Sequence, residues 1–361
     1  MRVTIIGAGA GGAAAAVELV QAGHKVALWS RSPETLQPFQ RIGGIEHEGV
    51  LGEGLVRPAL ITGDVRAVLR ECEAVVCTLP TFSHAAVARL LAENGLPSTV
   101  PVVLNPGHTG GALEFRAAFR CVRDDPPSIA EFSTLTYVAR KYQPQRVTIT
   151  GRAKQVRAAA LPGGGRALEA AQMLFPCASP VRDVLAADLS NVNMVLHPPG
   201  AVLGAAWIEA KAGDFTFYVE GMTPGVARVM KALDDERRAV ARAFGHALPS
   251  LIVEMQQIGT VEADVGNTED FAVAIAGGTA NRRIKAPDSF AHRYYREDFG
   301  HGLLPFLEFA TIGGVAVPVA DALFNLAETL VGASYRANGR TAESMGIAGL
   351  DREGLLSLVR H

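Results

Sequence analysis

The sequence predicts an α/β domain with a parallel sheet, followed by an all-α domain. In the first half, short apolar runs rich in β-branched residues alternate with helical stretches. From about Asp183 onward, the apolar residues recur with helical periodicity instead. The 361 residues correspond to about two domains at roughly 150 residues each. We therefore predict domains that span residues 1–182 and 183–361.

Composition excludes several classes of protein. The chain is 48% apolar and carries 34 Lys and Arg residues against 36 Asp and Glu, which gives a net charge of −2. A disordered protein would combine low hydrophobicity with high net charge. A nucleic-acid-binding protein would carry a clustered excess of basic residues, so we expect no nucleic-acid partner.

The cysteines and the apolar runs bear on location. No apolar run reaches the ~18 residues that span a bilayer, so we expect no membrane partner. The cysteines lack Cys-x-x-Cys spacing, which argues against a zinc site or a set of disulfides, and reduced thiols fit the cytoplasm best. They are Cys72, Cys77, Cys121 and Cys177.

The first 29 residues have the pattern strand, glycine-rich turn, helix, strand. Residues 2–6 and 25–29 are the apolar strands, and an Ala-rich stretch ending at residue 22 is the helix. In a dinucleotide-binding Rossmann fold, the first glycine makes a tight turn, the second admits the pyrophosphate and the third permits close packing of helix and strand. This complete frame favours cofactor binding over a secretory signal peptide or a flexible loop. We predict that the loop binds a dinucleotide through Gly7, Ala8, Gly9, Ala10, Gly11 and Gly12.

The end of the second strand bears on the choice of cofactor. An acidic residue there would accept hydrogen bonds from the ribose 2′-hydroxyl of NAD, but this chain has Ser30, Arg31 and Ser32. An arginine with two hydroxyls suits a 2′-phosphate, so NADP(H) is favoured and NAD(H) stays possible. The alternative is that Arg31 is an ordinary solvated loop residue.

Two further strands are predicted at residues 74–79 and 100–104. Ligands bind beyond the carboxyl ends of parallel strands, which places Leu79 and Pro80 beside the cofactor and makes His84 and His108 candidates. Each histidine is more often a surface-loop or hydrogen-bonding residue than an acid or base. Strands near 128–134 and 146–150 and a helix near 166–175 complete this domain.

The second half contains the candidate chemistry. A helix over 223–244 is predicted from Thr223 as N-cap and Gly245 as terminator, with its charged run 234–238 on a solvated face. In the segment 189–199, Ser190, Asn193 and His197 share one helical face. Pro198 predicts a kink or helix end at His197, and a purely structural histidine is the competing interpretation.

A second cluster follows at residues 293–298. It combines Arg293, which can grip a carboxylate, with Asp298, which can orient an imidazole. An exposed charged loop is the alternative. The triplet Glu46-His47-Glu48 lacks metal-ligand spacing, so we interpret it as surface and predict no metal.

Four motifs in this order resemble the opine dehydrogenases of the octopine/nopaline dehydrogenase family, over nearly the whole chain. They lie at residues 105–115, 191–198, 218–224 and 293–298. The resemblance implies a Rossmann domain with a helical substrate and dimerisation domain. It also implies that His197 is the catalytic histidine, Asp298 its acidic partner and Arg293 the ligand of a keto acid carboxylate. His108, in the glycine-rich loop, and Asn193 are further substrate-binding candidates.

The implied reaction condenses an α-keto acid with an L-amino acid to an imine, which hydride from the nicotinamide reduces. Closure of the two domains over the substrates predicts a hinge near residues 176–186. Side chains around Trp207, Tyr218 and Met222 suggest a neutral or hydrophobic amino acid substrate. The interpretation of the same side chains as ordinary hydrophobic core is at least as well supported. A homodimer is plausible. The rivals are a ketopantoate- or 3-hydroxyacid-type reductase of one carbonyl substrate and a non-catalytic NADPH-binding sensor.

Overall fold

The chain divides into two compact units. The computed structural model describes residues 1–264, 267–278 and 281–360. The first unit comprises residues 1–107 and 111–184, and the second comprises 108–110 and 185–361. The three-residue segment 108–110, which we call the strap, thus belongs to the second unit although its neighbours in sequence belong to the first.

The first unit is built on two sheets. Its strands are β1 (Arg2–Ile6), β2 (Lys25–Trp29), β3 (Ile45–Gly49), β4 (Gly54–Val56), β5 (Leu60–Thr62), β6 (Ala74–Cys77), β7 (Val102–Leu104), β8 (Ile129–Phe132), β9 (Tyr137–Gln143), β10 (Arg146–Arg152), β11 (Val156–Ala160) and β12 (Ala178–Pro180). The larger sheet has the order β12-β11-β8-β7-β6-β1-β2-β5. From β5 to β8 all neighbours are parallel, and numbered along the chain these six strands stand in the Rossmann order 3-2-1-4-5-6.

Six helices accompany these strands: α1 (Ala10–Gln21), α2 (Pro33–Ile42), α3 (Val65–Leu69), α4 (His84–Glu93), α5 (Gly111–Arg120) and α6 (Gly165–Leu174). The smaller sheet, β4-β3-β10-β9, shares one apolar core with α1 and the larger sheet. Four consecutive alanines of α1, Ala13 to Ala16, are fully buried in this core. Only small side chains allow a helix to approach neighbours this closely on most of its circumference, which explains the Ala-rich sequence.

The second unit is helical. Its elements are α7 (Val184–Asp188), α8 (Val192–Leu203), α9 (Ala205–Lys211), α10 (Pro224–Ala243), α11 (Leu251–Ile258), α12 (Phe271–Gly277), a π-helix (Tyr294–Leu303), α13 (Leu304–Gly313), α14 (Pro318–Val331), α15 (Ala342–Met345) and α16 (Arg352–Arg360). Short 3₁₀ turns lie at Thr81–Ser83 in the first unit and at Tyr335–Ala337 in the second. The predicted order of an α/β domain and then an all-α domain is confirmed.

Helix α10 starts as the sequence predicts, but its charged run is partly internal. The Thr223 hydroxyl accepts a hydrogen bond from the backbone N–H of Val226 at 3.4 Å. The prediction of a solvated face is wrong for Asp234 and Arg237, which are 1% and 2% exposed. Arg237 donates to Asp234 and to the carbonyls of Leu189 and Pro249, so its burial is compensated by hydrogen bonds that fasten the α7–α8 connection and the segment before α11 to α10.

Close packing at the third glycine of the loop gives a test of the fold. A Cβ atom at Gly12 would overlap the carbonyl oxygen of Gly7, whereas one at Gly165, likewise in the first turn of a helix, would meet nothing within 4 Å. We expect Gly12→Ala to lower the free energy of unfolding by about 1–3 kcal/mol, because overpacking forces the backbone to shift. Gly165→Ala is the matched control and should cost nothing. Urea denaturation of both variants measures this, and equal stabilities would contradict the packing argument.

Candidate active site

The histidine of the second unit stands inside a helix. Asn191 caps α8, with its side-chain oxygen accepting the N–H of Asn193 at 3.1 Å, and His197 lies midway along the helix. The prediction of a helix end at His197 is wrong, since α8 continues through Pro198 and Pro199 to residue 203, and the alternative of a kink there stays a prediction. Proline removes a backbone donor from a helix interior, and burial of almost every residue of α8 outweighs that cost here.

His197 and Asp298 form a buried pair. Nδ1 of His197 lies 2.7 Å from Oδ2 of Asp298, and each side chain is 4% exposed. Burial raises the pKa of the Asp298 carboxyl, while the neighbouring His197 opposes that shift. A carboxylate at this distance accepts the Nδ1 proton, which leaves Nε2 as the nitrogen for further chemistry. The structure thus brings together the two residues that the sequence predicts as a catalytic pair.

Two tyrosines complete the surroundings of the imidazole. The Tyr218 hydroxyl lies 2.7 Å from Nε2 of His197, and the Tyr294 ring stacks on the imidazole with centroids 3.7 Å apart. The two tyrosine hydroxyls are 3.3 Å apart. Sequence reasoning missed both contacts. The available signal was that each tyrosine lies within a motif that resembles the family.

Arg293 lies at the start of the π-helix. Its Nη1 is 3.8 Å from Oε2 of Glu297, and its side chain is 53% exposed whereas that of Glu297 is 6% exposed. In a π-helix the hydrogen bonds join residues five apart, so residues four and five positions along share one face. Glu297 and Asp298 therefore both lie near Arg293. The alternative of an exposed charged loop at residues 293–298 is wrong, because the segment is helical and mostly buried.

His108 has an unusual backbone and a neutral ring. Its φ is 57°, in the left-handed region, and the residue is 5% exposed. Burial lowers the pKa of His108 to about 4, opposed by Glu297 and reinforced by Arg340, Arg293 and His197. Its Nε2 has no hydrogen-bond partner among the described residues. At neutral pH this histidine is therefore an uncharged group with one buried ring nitrogen available.

The strap that carries His108 is held by the second unit. Arg340, which is fully buried, donates from Nη1 to the Thr109 carbonyl at 2.6 Å. Asn191 donates to the Thr109 hydroxyl at 3.2 Å, and Asp188 accepts the Gly110 N–H at 2.7 Å. These bonds to the end of α7, the cap of α8 and a distant arginine fix the position of the strap.

The other candidate site residues of the second unit lie outside the hydrogen bonds of the His197–Asp298 pair. Asn193 is partly exposed, one helical turn before His197. Trp207 stacks on Phe215 at 4.1 Å and is 37% exposed, while Met222 is buried. Phe217 is the ring that packs edge-on against the imidazole, at 6.1 Å between centroids.

In the first unit, the three motif glycines meet the three demands of a pyrophosphate turn. Gly7 has a φ of 116°, a Cβ at Gly9 would meet nothing within 4 Å, and Gly12 lies against the Gly7 carbonyl. Helix α1 begins directly after Gly9, so its free N–H groups and positive dipole end face this turn. Among the intervening residues, Ala8 is buried, Ala10 starts α1 and Gly11 packs towards Leu135. These residues fit a dinucleotide.

The segment after β2 differs from the expected arrangement at one residue. Ser32 is the N-cap of α2: its hydroxyl accepts from the Thr35 N–H at 3.4 Å and donates to Glu34 at 2.7 Å. The Ser30 hydroxyl accepts the Ser32 N–H at 3.2 Å. Arg31 is exposed and makes no hydrogen bond or ion pair within the described part of the chain. Arg31 is thus the group in this segment with an uncommitted charge.

The end of β6 lies against the glycine turn. The Thr78 hydroxyl donates to the Gly7 carbonyl at 3.2 Å, and a Cβ atom at Gly7 would lie 3.0 Å from the side chains of both Thr78 and Leu79. Pro80 follows, half-buried, and starts the 3₁₀ turn. His84 is fully buried at the first residue of α4, so the expectation of a surface loop is wrong for it.

The described residues contain neither a cluster of possible metal ligands nor a membrane-spanning helix. Among the described residues, no three His, Cys, Asp or Glu side chains are grouped so that they could hold a metal ion. Within the same ranges, every helix is too short or too polar to cross a bilayer. The interpretation of Glu46-His47-Glu48 as surface is wrong for His47, which is 4% exposed and bonds the Gly52 carbonyl at 3.1 Å.

Comparisons with known proteins cover both units. Residues 180–331 match the family described as NAD/NADP octopine/nopaline dehydrogenase, alpha-helical domain, and residues 3–156 match ketopantoate reductase PanE/ApbA. An opine dehydrogenase of Arthrobacter sp. (strain 1C) is 32% identical over 98% of both chains. An octopine dehydrogenase of Pecten maximus is 25% identical over 81% of this chain and 79% of its own.

Solved structures agree in fold. Octopine dehydrogenase with NADH and L-arginine superimposes with a TM-score of 0.78 at 21% identity, over 98% of this chain and 97% of that chain. Yersinopine dehydrogenase with NADP⁺ bound gives a TM-score of 0.72 at 15% identity, over 100% and 98% of the two chains. The expected fold and the resemblance are both confirmed. The chain belongs to the octopine/nopaline dehydrogenase family of dinucleotide-dependent oxidoreductases.

Proposed function

We propose that the chain joins a pyruvate-like α-keto acid to the amino group of an L-amino acid through an imine, reduces that imine with a nicotinamide dinucleotide, and catalyses the reverse oxidation. The observation that carries this proposal is the 2.7 Å bond between His197 and Asp298, close to Arg293, in a chain of this family. Relatives whose names record octopine or vitopine chemistry support the same reaction type.

In this proposal, the His197–Asp298 pair accepts and returns the protons of the reaction. Condensation requires that an ammonium lose a proton and that a hydroxyl leave as water, so one group must both accept and return protons near neutral pH. An ordinary imidazole, with a pKa of ~6.5, suits this role. Asp298 on Nδ1 fixes the ring orientation and stabilises the imidazolium when it forms. When bound, the reduced nicotinamide supplies the hydride.

Arg293 is the proposed ligand of the keto acid carboxylate. Its side chain is half-exposed, and the contact of Nη1 with Glu297 at 3.8 Å is too long for a strong hydrogen bond. Donors therefore remain for a bidentate bond to a carboxylate, which would orient the carbonyl carbon as well as bind it. His108 and Asn193 are the proposed polar contacts beside it. The neutral His108 ring adds a hydrogen bond without adding charge.

NADP(H) is the proposed cofactor, with NAD(H) as the alternative. The basis is Arg31, whose uncommitted charge follows β2 where NAD-binding chains place an acid. Ser30 and Ser32 are weaker candidates, because the Ser32 hydroxyl already caps α2. Leu79 and Pro80 are the proposed contacts nearer the nicotinamide. A cytoplasmic location and a homodimer remain predictions from the sequence.

The second candidate function is a single-carbonyl reductase, favoured by the PanE/ApbA match of residues 3–156. Oxidation of NADPH and NADH, followed at 340 nm across keto acids with and without amino acids, separates the functions. We expect turnover only when both substrates are present. Turnover with a keto acid alone would favour the rival, and binding of NADPH without turnover of any pair would favour a sensor.

Replacement of the histidine tests the proton chemistry. We expect His197→Ala to lower kcat by on the order of a hundredfold or more, the usual contribution of an acid–base catalyst. Cofactor affinity, measured by NADPH fluorescence, should stay within a few-fold. His24→Ala, in the first unit, is the control and should keep wild-type kcat. An unchanged kcat in His197→Ala would remove this residue from the mechanism.

Cofactor preference is tested at Arg31. Charge-assisted hydrogen bonds contribute about 1.5–3 kcal/mol, and about 1.4 kcal/mol is tenfold in affinity. We therefore expect Arg31→Ala to lower the ratio of kcat/KM for NADPH over NADH by roughly 10- to 100-fold. Arg41→Ala, at the other end of α2, makes the same change of net charge and should leave the ratio unaltered. A constant ratio in Arg31→Ala would refute the 2′-phosphate assignment.

A further inference from the structure

We infer that the Tyr218 hydroxyl relays protons between His197 and the substrate, so that Nε2 of His197 does not meet the substrate directly. This inference rests on the proposed function and concerns the same site. An imidazole nitrogen has a single lone pair, or a single proton, in the plane of its ring. The Tyr218 oxygen already stands 2.7 Å from Nε2, and Asp298 occupies Nδ1. Any proton that enters or leaves the ring at Nε2 therefore passes through Tyr218.

The segment around Tyr218 is fastened from several sides. Phe217 donates its N–H to the Ile284 carbonyl at 2.9 Å, and Ala286 donates to the Phe215 carbonyl at 2.9 Å. The Glu220 carboxylate accepts from both the N–H and the hydroxyl of Thr216, at 2.6 and 2.8 Å. This turn is thereby tied to itself and to a second segment.

Close packing adds to this constraint. A Cβ at Gly200 of α8 would lie 2.7 Å from the Phe217 ring, and one at Gly221 would lie 2.6 Å from the Phe217 carbonyl oxygen. Tyr218 itself is 4% exposed and packs edge-on against Phe217, with centroids 5.1 Å apart. A residue held in this way is a fixed neighbour of the imidazole, so displacement by substrate is the less favourable route to Nε2.

Tyr294 supplies the remaining constraint. Its ring stacks on the imidazole at an interplanar angle of 15°, and its hydroxyl is 3.3 Å from that of Tyr218. Burial raises the pKa of Tyr218 well above its ordinary value, and Tyr294 adds to that shift. Tyr218 is therefore held as a neutral phenol. A neutral phenol can accept one proton while it gives up another, which is what a relay requires.

The transfer balances without a charged tyrosine. When the imidazolium gives its Nε2 proton to the Tyr218 oxygen, the hydroxyl proton of Tyr218 passes to the departing oxygen of the substrate, which leaves as water. His197 becomes neutral and Tyr218 is unchanged. When a substrate ammonium is deprotonated, the same two protons move in the opposite direction. No further reactant is needed.

The test is Tyr218→Phe, which removes the hydroxyl and keeps the ring. We expect kcat to fall on the order of a hundredfold, with KM for the keto acid and NADPH affinity within a few-fold. The double variant with His197→Ala should be no slower than His197→Ala alone, because the two residues act as one unit. Tyr295→Phe is the matched control: it removes a buried hydroxyl that bonds the Ala201 carbonyl at 2.8 Å, outside the relay.

Two readouts separate this inference from a merely structural role and from the proposed function. The proton inventory of kcat in H₂O/D₂O mixtures should be curved in the wild type, because two protons move together, and a linear inventory would overturn the relay. ¹⁵N spectra of the ligand-free protein should show the Nε2 resonance of His197 shift in Tyr218→Phe, and an unmoved resonance would also overturn it. A Tyr218→Phe variant with wild-type kcat refutes the relay alone. A wild-type protein that turns over no substrate pair refutes the proposed function and the relay with it.

Discussion

The second unit depends on one constraint: an imidazole and a carboxylate are both buried among helices, and neither can be buried without a partner. Transfer of an unpaired charge into an apolar interior costs several kcal/mol. The bond between His197 and Asp298 offsets this cost for both groups at once. It also requires α8 and the π-helix to lie at a fixed separation and register. A π-helix is a rare element, and one located at a buried acid agrees with the tendency of such helices to occur at functional sites.

The charges around the His197–Asp298 pair explain why a half-exposed arginine, Arg293, lies beside it. Glu297 and Asp298 contribute two buried acids to the π-helix, and Arg293 and Arg340 place positive charge close to the same site, since both lower the pKa of His108. Arg340 is fully buried and is occupied with the strap. Arg293 is half-exposed and only loosely paired. Of Arg293 and Arg340, Arg293 is therefore the better candidate for the proposed carboxylate ligand, because Arg340 is already committed to the strap.

The sequence predicted the features that depend on local rules. Gly7 requires a positive φ, Gly12 has no room for a Cβ atom, and Gly9 leaves open the space proposed for the pyrophosphate, so their spacing specified the turn, the order of elements and the kind of ligand. The sequence also predicted the N-cap at Thr223, because capping depends on residues only three positions apart. Asp298 and His197 were identified as a pair only through resemblance to a family. Nothing local in the sequence joins residues 101 positions apart.

Tertiary packing decided the features that local rules missed. Pro198 and Pro199 lie in the middle of α8 because the burial of this helix outweighs two lost backbone hydrogen bonds. Helix propensity describes single residues and does not include the free energy of tertiary burial. Arg237, which the sequence pattern places on a solvated face, is internal because Asp234 of its own helix and the carbonyls of Leu189 and Pro249 accept its hydrogen bonds. Ser32 was assigned to the cofactor from its place after β2, yet its hydroxyl caps the next helix.

His108 combines two features that lower the stability of the fold. A non-glycine residue with a φ of 57° costs about 1–3 kcal/mol, and a buried ring nitrogen without a partner loses a hydrogen bond as well. The hydrogen bonds that hold Thr109 and Gly110 to the second unit keep the strap in this conformation despite both costs, so the position of the His108 imidazole is fixed. A ligand oxygen or N–H at Nε2 would remove the second cost only when bound. The strained backbone and the unpartnered nitrogen are the physical basis for the proposal that His108 binds the substrate.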